Sequence, residues 1–145
     1  MRHVVVILFA TLLTLCVAVV GMGAQVSSAP TFVSKVLSAN RSSVQIDTSG
    51  LTAAAGSMFL MCNTAALTIE GNFKYFRMEN HRTESRGKGS FEVEFFQSPP
   101  EGAEVVQLDS LNPAKPTGDP EKWVFDAVAA SAACKKLGVG RDGAK

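Results

Sequence analysis

Few residues of this chain are of a type that does chemistry, and those few stand far apart. Its 145 residues include three cysteines, Cys16, Cys62 and Cys134, and two histidines, His3 and His81. A zinc site assembled from His81, two cysteines and scattered carboxylates would lack any close ligand spacing, so no metal is expected. A thiol nucleophile assisted by His81 would need a reduced, exposed cysteine. Cys62 and Cys134 instead fall at apolar helical positions, where a thiolate is disfavoured. The sequence carries no G-x-S-x-G elbow, glycine-rich phosphate loop or dinucleotide fingerprint. The expectation is a protein that is not an enzyme and holds no cofactor.

The densest run of charge lies between Lys74 and Lys88. There Lys74, Arg77, Arg82, Arg86 and Lys88 outnumber Glu79 and Glu84, with Tyr75 and Phe76 alongside. Such a patch would suit an anionic partner: a lipid headgroup, a cell-wall polymer or an acidic protein face. Its other reading is a charged hairpin that stays soluble and guards a strand edge. Glu92 and Glu94 alternate on one strand face and read as solvated surface. The formal net charge is +1, and without Arg2 the basic and acidic side chains balance at 13 each. A neutral domain gives no reason to expect nucleic acid as a partner.

Both cysteines beyond the leader must be judged by compartment. Met1-Arg2-His3 supplies a positive start, Val4 to Val20 is an uncharged apolar run of 17 residues, and Gly21, Gly23 and Ala24 follow. This is the three-part pattern of a secretory signal, slightly short for a membrane span of about 20 residues. Cleavage is expected after Gly23 or Ala24. Lipidation at Cys16 is disfavoured by the bulky Leu15 before it and the apolar residues after it. In an oxidising compartment Cys62 and Cys134 form a candidate disulfide, with two buried thiols as the alternative.

The elements that would position these residues are legible in part. Phe32–Leu37 and Val44–Thr48 read as a hairpin, Val44 and Ile46 facing inward and Gln45 and Asp47 outward. Thr52 can cap a helix over Ala53–Glu70 whose buried stripe would be Met58, Cys62, Ala65, Ala66 and Ile69, closed by Gly71-Asn72. Phe73–Met78 is aromatic on both faces, as a central strand is. Phe91–Phe95 alternates, and Gly87-Lys88-Gly89 makes a hairpin turn between the two strands. Val105-Val106 reads as a short edge strand and Leu111–Gly118 as a loop. Asp119-Pro120-Glu121 reads as the start of a helix running to about Leu137, with Trp123, Ala127, Ala130, Cys134 and Leu137 on its buried side.

The predicted fold is therefore α+β: a small, mainly antiparallel sheet of about four strands with two helices on one face, in the order ββαββα after a signal peptide. The predicted division is a signal peptide over 1–24, a flexible start over 25–31, one domain over 32–138 and a disordered tail over 139–145. At this length and 46% hydrophobic content, one domain is what the chain can build.

From Thr64 to Phe76 the sequence T-A-A-L-T-I-E-G-N-F-K-Y-F resembles a family of small exported bacterial proteins, mostly lipoproteins of unknown function, whose helix-to-strand junction reads A-A-E-L-T-L-x-x-G-Y-x-Y-F. Val44-Gln45-Ile46 and the segment from Asp119-Pro120 to Ala127 are also similar to that family, so the resemblance spans residues 30 to 137 loosely. It implies an envelope location and no particular activity. The functional expectation is an exported, periplasmic or secreted binding or accessory module whose partner is an envelope protein or an anionic envelope component. The alternatives are a secreted inhibitor or effector that binds another protein, and an enzyme with an unrecognised site.

Overall fold

A computed structural model describes residues 29–107 and 119–138. The expected leader, most of the flexible start, the 111–118 loop and the 139–145 tail lie outside the described residues. Strand β1 (Thr31–Ser38) turns into β2 (Arg41–Asp47), and helix α1 (Ala53–Glu70) follows. Next come β3 (Tyr75–Ser85), β4 (Lys88–Phe96) and the short β5 (Glu104–Val106). A single 3₁₀ turn (Pro120–Lys122) leads into β6 (Trp123–Asp126) and helix α2 (Ala127–Lys136). All six strands form one sheet in the order β1-β2-β4-β3-β6-β5, antiparallel except where β5 runs parallel to β6.

The fold is α+β as expected, but the sheet is mixed and has six strands rather than about four. The difference centres on residues 119–126. Asp119 does cap a turn, its carboxylate accepting from the Glu121 amide, and Pro120 stands at the first position. The turn ends at Lys122 because Trp123, Val124 and Phe125 gain more as a strand. Phe125 pairs with Phe76 of β3, their rings stacked at 5.4 Å, and Val124 is fully buried. The helix begins one step later. Asp126 is its cap, accepting from the Val128 and Ala129 amides at 2.9 and 3.0 Å. Trp123 thus belongs to the sheet and not to a helix stripe.

The core lies between the helices and one face of the sheet. Val44 of β2, Phe76 of β3, and Phe91, Val93 and Phe95 of β4 pack against Ala65 of α1 and Ala127 and Ala130 of α2. Small residues on the helices let the two layers approach, while phenylalanines from the strands fill the space between. The buried side of α1 is rotated from the expected stripe: Phe59, Cys62, Thr64, Ala65 and Thr68 are buried, and Ile69 is exposed. Two threonines survive in the core because their hydroxyls donate to carbonyls one turn back, Thr64 to Leu60 at 2.9 Å and Thr68 to Thr64 at 2.8 Å. Asn63 does the same through its amide, donating to the Phe59 carbonyl at 2.8 Å.

Cys62 and Cys134 are joined in a disulfide that ties α1 to α2, with Cα atoms 5.8 Å apart. Both belong to the buried helix surfaces. At the other end of α1, the tip of the β3–β4 hairpin is fastened to the end of β2, where Thr48 N–H donates to the Gly87 carbonyl at 2.7 Å. Gly87 has φ +78°, and a Cβ there would stand 2.6 Å from the Ser49 backbone.

Two outcomes follow. Replacing both cysteines (Cys62→Ala with Cys134→Ala) removes a cross-link spanning 72 residues and is expected to lower unfolding free energy by about 4 kcal/mol in the chain-entropy picture, measured by urea denaturation. Gly87→Ala combines an unfavourable backbone angle with a backbone collision and is expected to destabilise by more than about 1 kcal/mol in the same assay.

Candidate functional site

The helices cover one face of the sheet, and the opposite face carries ordered charge. Register places Glu94 of β4 between Arg41 of β2 and Arg77 of β3, and sets Glu92 of β4 directly opposite Glu79 of β3. Arg77 Nη2 donates to Glu94 Oε2 at 2.7 Å, and Arg41 Nη2 donates to Glu79 Oε2 at 2.8 Å. Arg41 Nη1 also lies 3.6 Å from Glu92 Oε2. The Arg77 Nε is 2.8 Å from Glu79 Oε1, a close charge contact whose N–H is not aligned as a hydrogen bond, and that nitrogen is buried. The Arg77 guanidinium stands over the Phe96 ring, 5.4 Å from its centre. Two facing glutamates would repel each other, and the two arginines offset that. The five side chains still sum to one net negative charge. Glu92 and Glu94, expected as solvated surface, are half-buried members of this network.

Beside this network the sheet has a notch. β6 pairs with β3 only at Tyr75 and Phe76, so beyond it β3 has a strand partner on one side alone among the described residues. A half-open groove of about 630 Å³ runs along this free edge, from Arg77 through His81 on β3 to Pro120, Glu121, Trp123 and Phe125 across it. At the groove β3 is bulged: Asn80 and His81 occupy a step where β4 offers only Phe91, and Asn80 takes φ +53°. His81 stacks on the Phe91 ring at 5.6 Å. The indole Nε1 of Trp123 is buried with no hydrogen-bond acceptor among the described residues.

The five residues of the expected basic patch are not gathered in one place. Lys74 precedes β3, and Arg86 lies in the turn after it, on the order of 35 Å away at the rise of an extended strand. Arg77 is held by Glu94 and Glu79, and Lys88 by Asp47 at 3.2 Å. Arg82 and Arg86 are exposed and lack a carboxylate partner among the described residues. The same residues hold no group of three or more His, Cys, Asp or Glu placed to bind a metal ion. None of their helices is long and apolar enough to cross a membrane.

Fold and surface together define an α+β domain with a disulfide-tied helix layer and an open, ion-paired sheet face. Comparison of the chain with protein-family models, curated proteins and solved structures gave no match.

Sequence reasoning missed Arg41 as a member of the charged face and missed the notch entirely. The first had a signal, since Arg41 shares the outward parity of Gln45 on its strand. The second had none until β6 was recognised, because the notch exists only where β6 stops.

Asp47, on the outward face at the end of β2, is the one carboxyl among the described residues held well away from its usual range. The Ser49 hydroxyl donates to it at 2.6 Å and the Ser49 amide at 3.0 Å, with Lys88 nearby, and together they lower its pKa from 3.8 to about 2. Because the folded value is depressed, the stabilisation is present above pH 3.8 and is lost as pH falls through about 2. Ser49→Ala is expected to raise the Asp47 midpoint towards 3.8, read by carbon NMR of the side-chain carboxyl; an unchanged midpoint would mean that Lys88 and the backbone suffice.

Proposed function

We propose that this chain is an exported domain that works by contact rather than catalysis, as a binding or accessory module of the cell envelope. The observation that carries this reading is the Cys62–Cys134 bridge, which suits an oxidising compartment and consumes the two thiols that would otherwise be its strongest nucleophiles. The leader-like run Val4–Val20 and the resemblance to small exported bacterial proteins point the same way.

An envelope protein is the partner this surface favours over an anionic polymer or lipid. Two of the five basic patch residues are already neutralised within the chain. The outermost strand β1, by contrast, offers a backbone edge unpaired among the described residues, with Val33, Val36 and Leu37 at 59%, 75% and 49% exposure. Such an edge accepts an extended segment of another protein as an additional strand, backbone hydrogen bonds supplying affinity and alternate side chains selectivity.

Intact mass of the protein recovered from the envelope or medium, before and after reduction with thiol labelling, tests the reading. The expected species begins near Gln25, is two hydrogens lighter than its reduced form and takes no label until reduced. An intact leader, acyl chains on Cys16 or two free thiols would overturn it.

A further inference from the structure

The stretch of the β3 edge that no strand pairs among the described residues is matched to itself. From Arg77 to Glu84 the order of charges is Arg77-x-Glu79-x-x-Arg82-x-Glu84, which read backwards becomes its own complement. We propose that two copies of this chain pair antiparallel along this edge, about a two-fold axis between Asn80 and His81, forming a self-complementary dimer distinct from the contact at β1.

The register puts Glu79 of each copy opposite Arg82 of the other, and Asn80 opposite His81. In a regular strand this could not work, because residues three apart point to opposite faces. The bulge at Asn80 and His81 corrects the parity. Glu79 pairs with Glu92 and Arg82 with Ser90 on β4, two positions that share a face, so Glu79 and Arg82 also share one. Both therefore face the charged side of the sheet, where an antiparallel partner would bring opposite charges together.

The electrostatics ask for this partner. Arg41, Arg77, Glu79, Glu92 and Glu94 leave one negative charge unbalanced on each copy. The exposed Arg82 has no carboxylate of its own among the described residues. Pairing delivers Arg82 of one copy to Glu79 of the other, twice by symmetry, and neutralises both networks. A groove of about 630 Å³ follows Arg77–His81 on this edge, with Pro120, Glu121 and Trp123 on its far side.

Because β6 stands beside the start of β3, the ladder is confined to residues 79–82 and their mates. An interface so short is weak, and its charged pairs make it sensitive to salt.

Charge exchange tests the proposal. The protein recovered after export is expected to self-associate with concentration in sedimentation equilibrium at low salt, and less so at high salt. Arg82→Glu sets Glu79 against a glutamate, Glu79→Arg sets Arg82 against an arginine, and each alone is expected to weaken association at least about tenfold. An equimolar mixture of the two variants restores it, since the arginine introduced in one then faces the glutamate introduced in the other, while the remaining Glu79 faces the remaining Arg82. Where Glu79→Arg fails to fold by circular dichroism, Glu79→Gln takes its place, and the mixture with Arg82→Glu is still expected to associate more tightly than Arg82→Glu alone. A parent that stays monomeric to about 1 mM overturns the proposal. So does a dimer that Arg82→Glu leaves intact, or a mixture that gains nothing over its components.

Discussion

Everything in this domain hangs on a sheet whose described helices both cover the same side. Two helices, α1 and α2, are enough to bury Val44, Phe76, Phe91, Val93 and Phe95 from one direction, and the helix side chains facing them, Ala65, Ala127 and Ala130, are small enough to let the layers close. Phe76 is fully buried at the centre, stacked on Phe125 and paired with Phe95, so β3 is the strand through which β4 and β6 join one core. The bridge between Cys62 and Cys134 fixes the two helices to each other, so the covering layer behaves as one unit although its members are far apart in sequence. A small core gains most from a constraint of this kind, because the unfolded chain loses much of its freedom.

Among the described residues no helix packs on the opposite face, and its partly exposed side chains must be compatible with both solvent and their own crowding. Hydrophobic residues there would invite association over the whole surface. Charges of one sign would repel across strands less than about 6 Å apart. The chain uses alternating arginine and glutamate rows, with Arg77 partly shielded over Phe96 and shared between two glutamates. The outcome is a face that is ordered and close to neutral without a covering helix among the described residues. The excess of one carboxylate, and an Arg82 without a carboxylate partner among the described residues, are then what distinguishes the β3 edge from an ordinary solvated strand.

The edges follow from the same architecture. β1 closes one side of the sheet and β5 the other, and neither has a neighbour beyond it among the described residues. β6 is four residues long against eleven for β3. That mismatch opens the notch: the sheet is complete at Phe76 and incomplete by His81. The bulge sits beyond Phe76, the last residue that β6 pairs, and Asn80, one of the residue types that tolerate a positive φ, occupies it.

Local chemistry made much of this legible in advance. Alternation in β2 and β4, the Thr52 cap of α1, the stop at Gly71-Asn72 where Asn72 takes φ +61°, and the turn at Gly87 are all decided within a few residues of themselves. The pairing of Cys62 with Cys134 was open to inference because both lie on buried helix positions. The segment 119–126 was not, because its local signals conflict: a good cap and a proline at its start favour helix, and only contact with Phe76 and with β5 tips Trp123-Val124-Phe125 into the sheet. The rotation of α1 was likewise hidden, since Thr64 and Thr68 count as polar until their hydroxyls are seen to be satisfied inside the helix. The residue types alone thus determined the elements outside 119–126 and the balance of charge, through short-range sterics and hydrogen bonding. Which charges meet, where the sheet ends and which edge stays open were decided only by tertiary structure, because each depends on strands that are distant in the chain competing for the same neighbour.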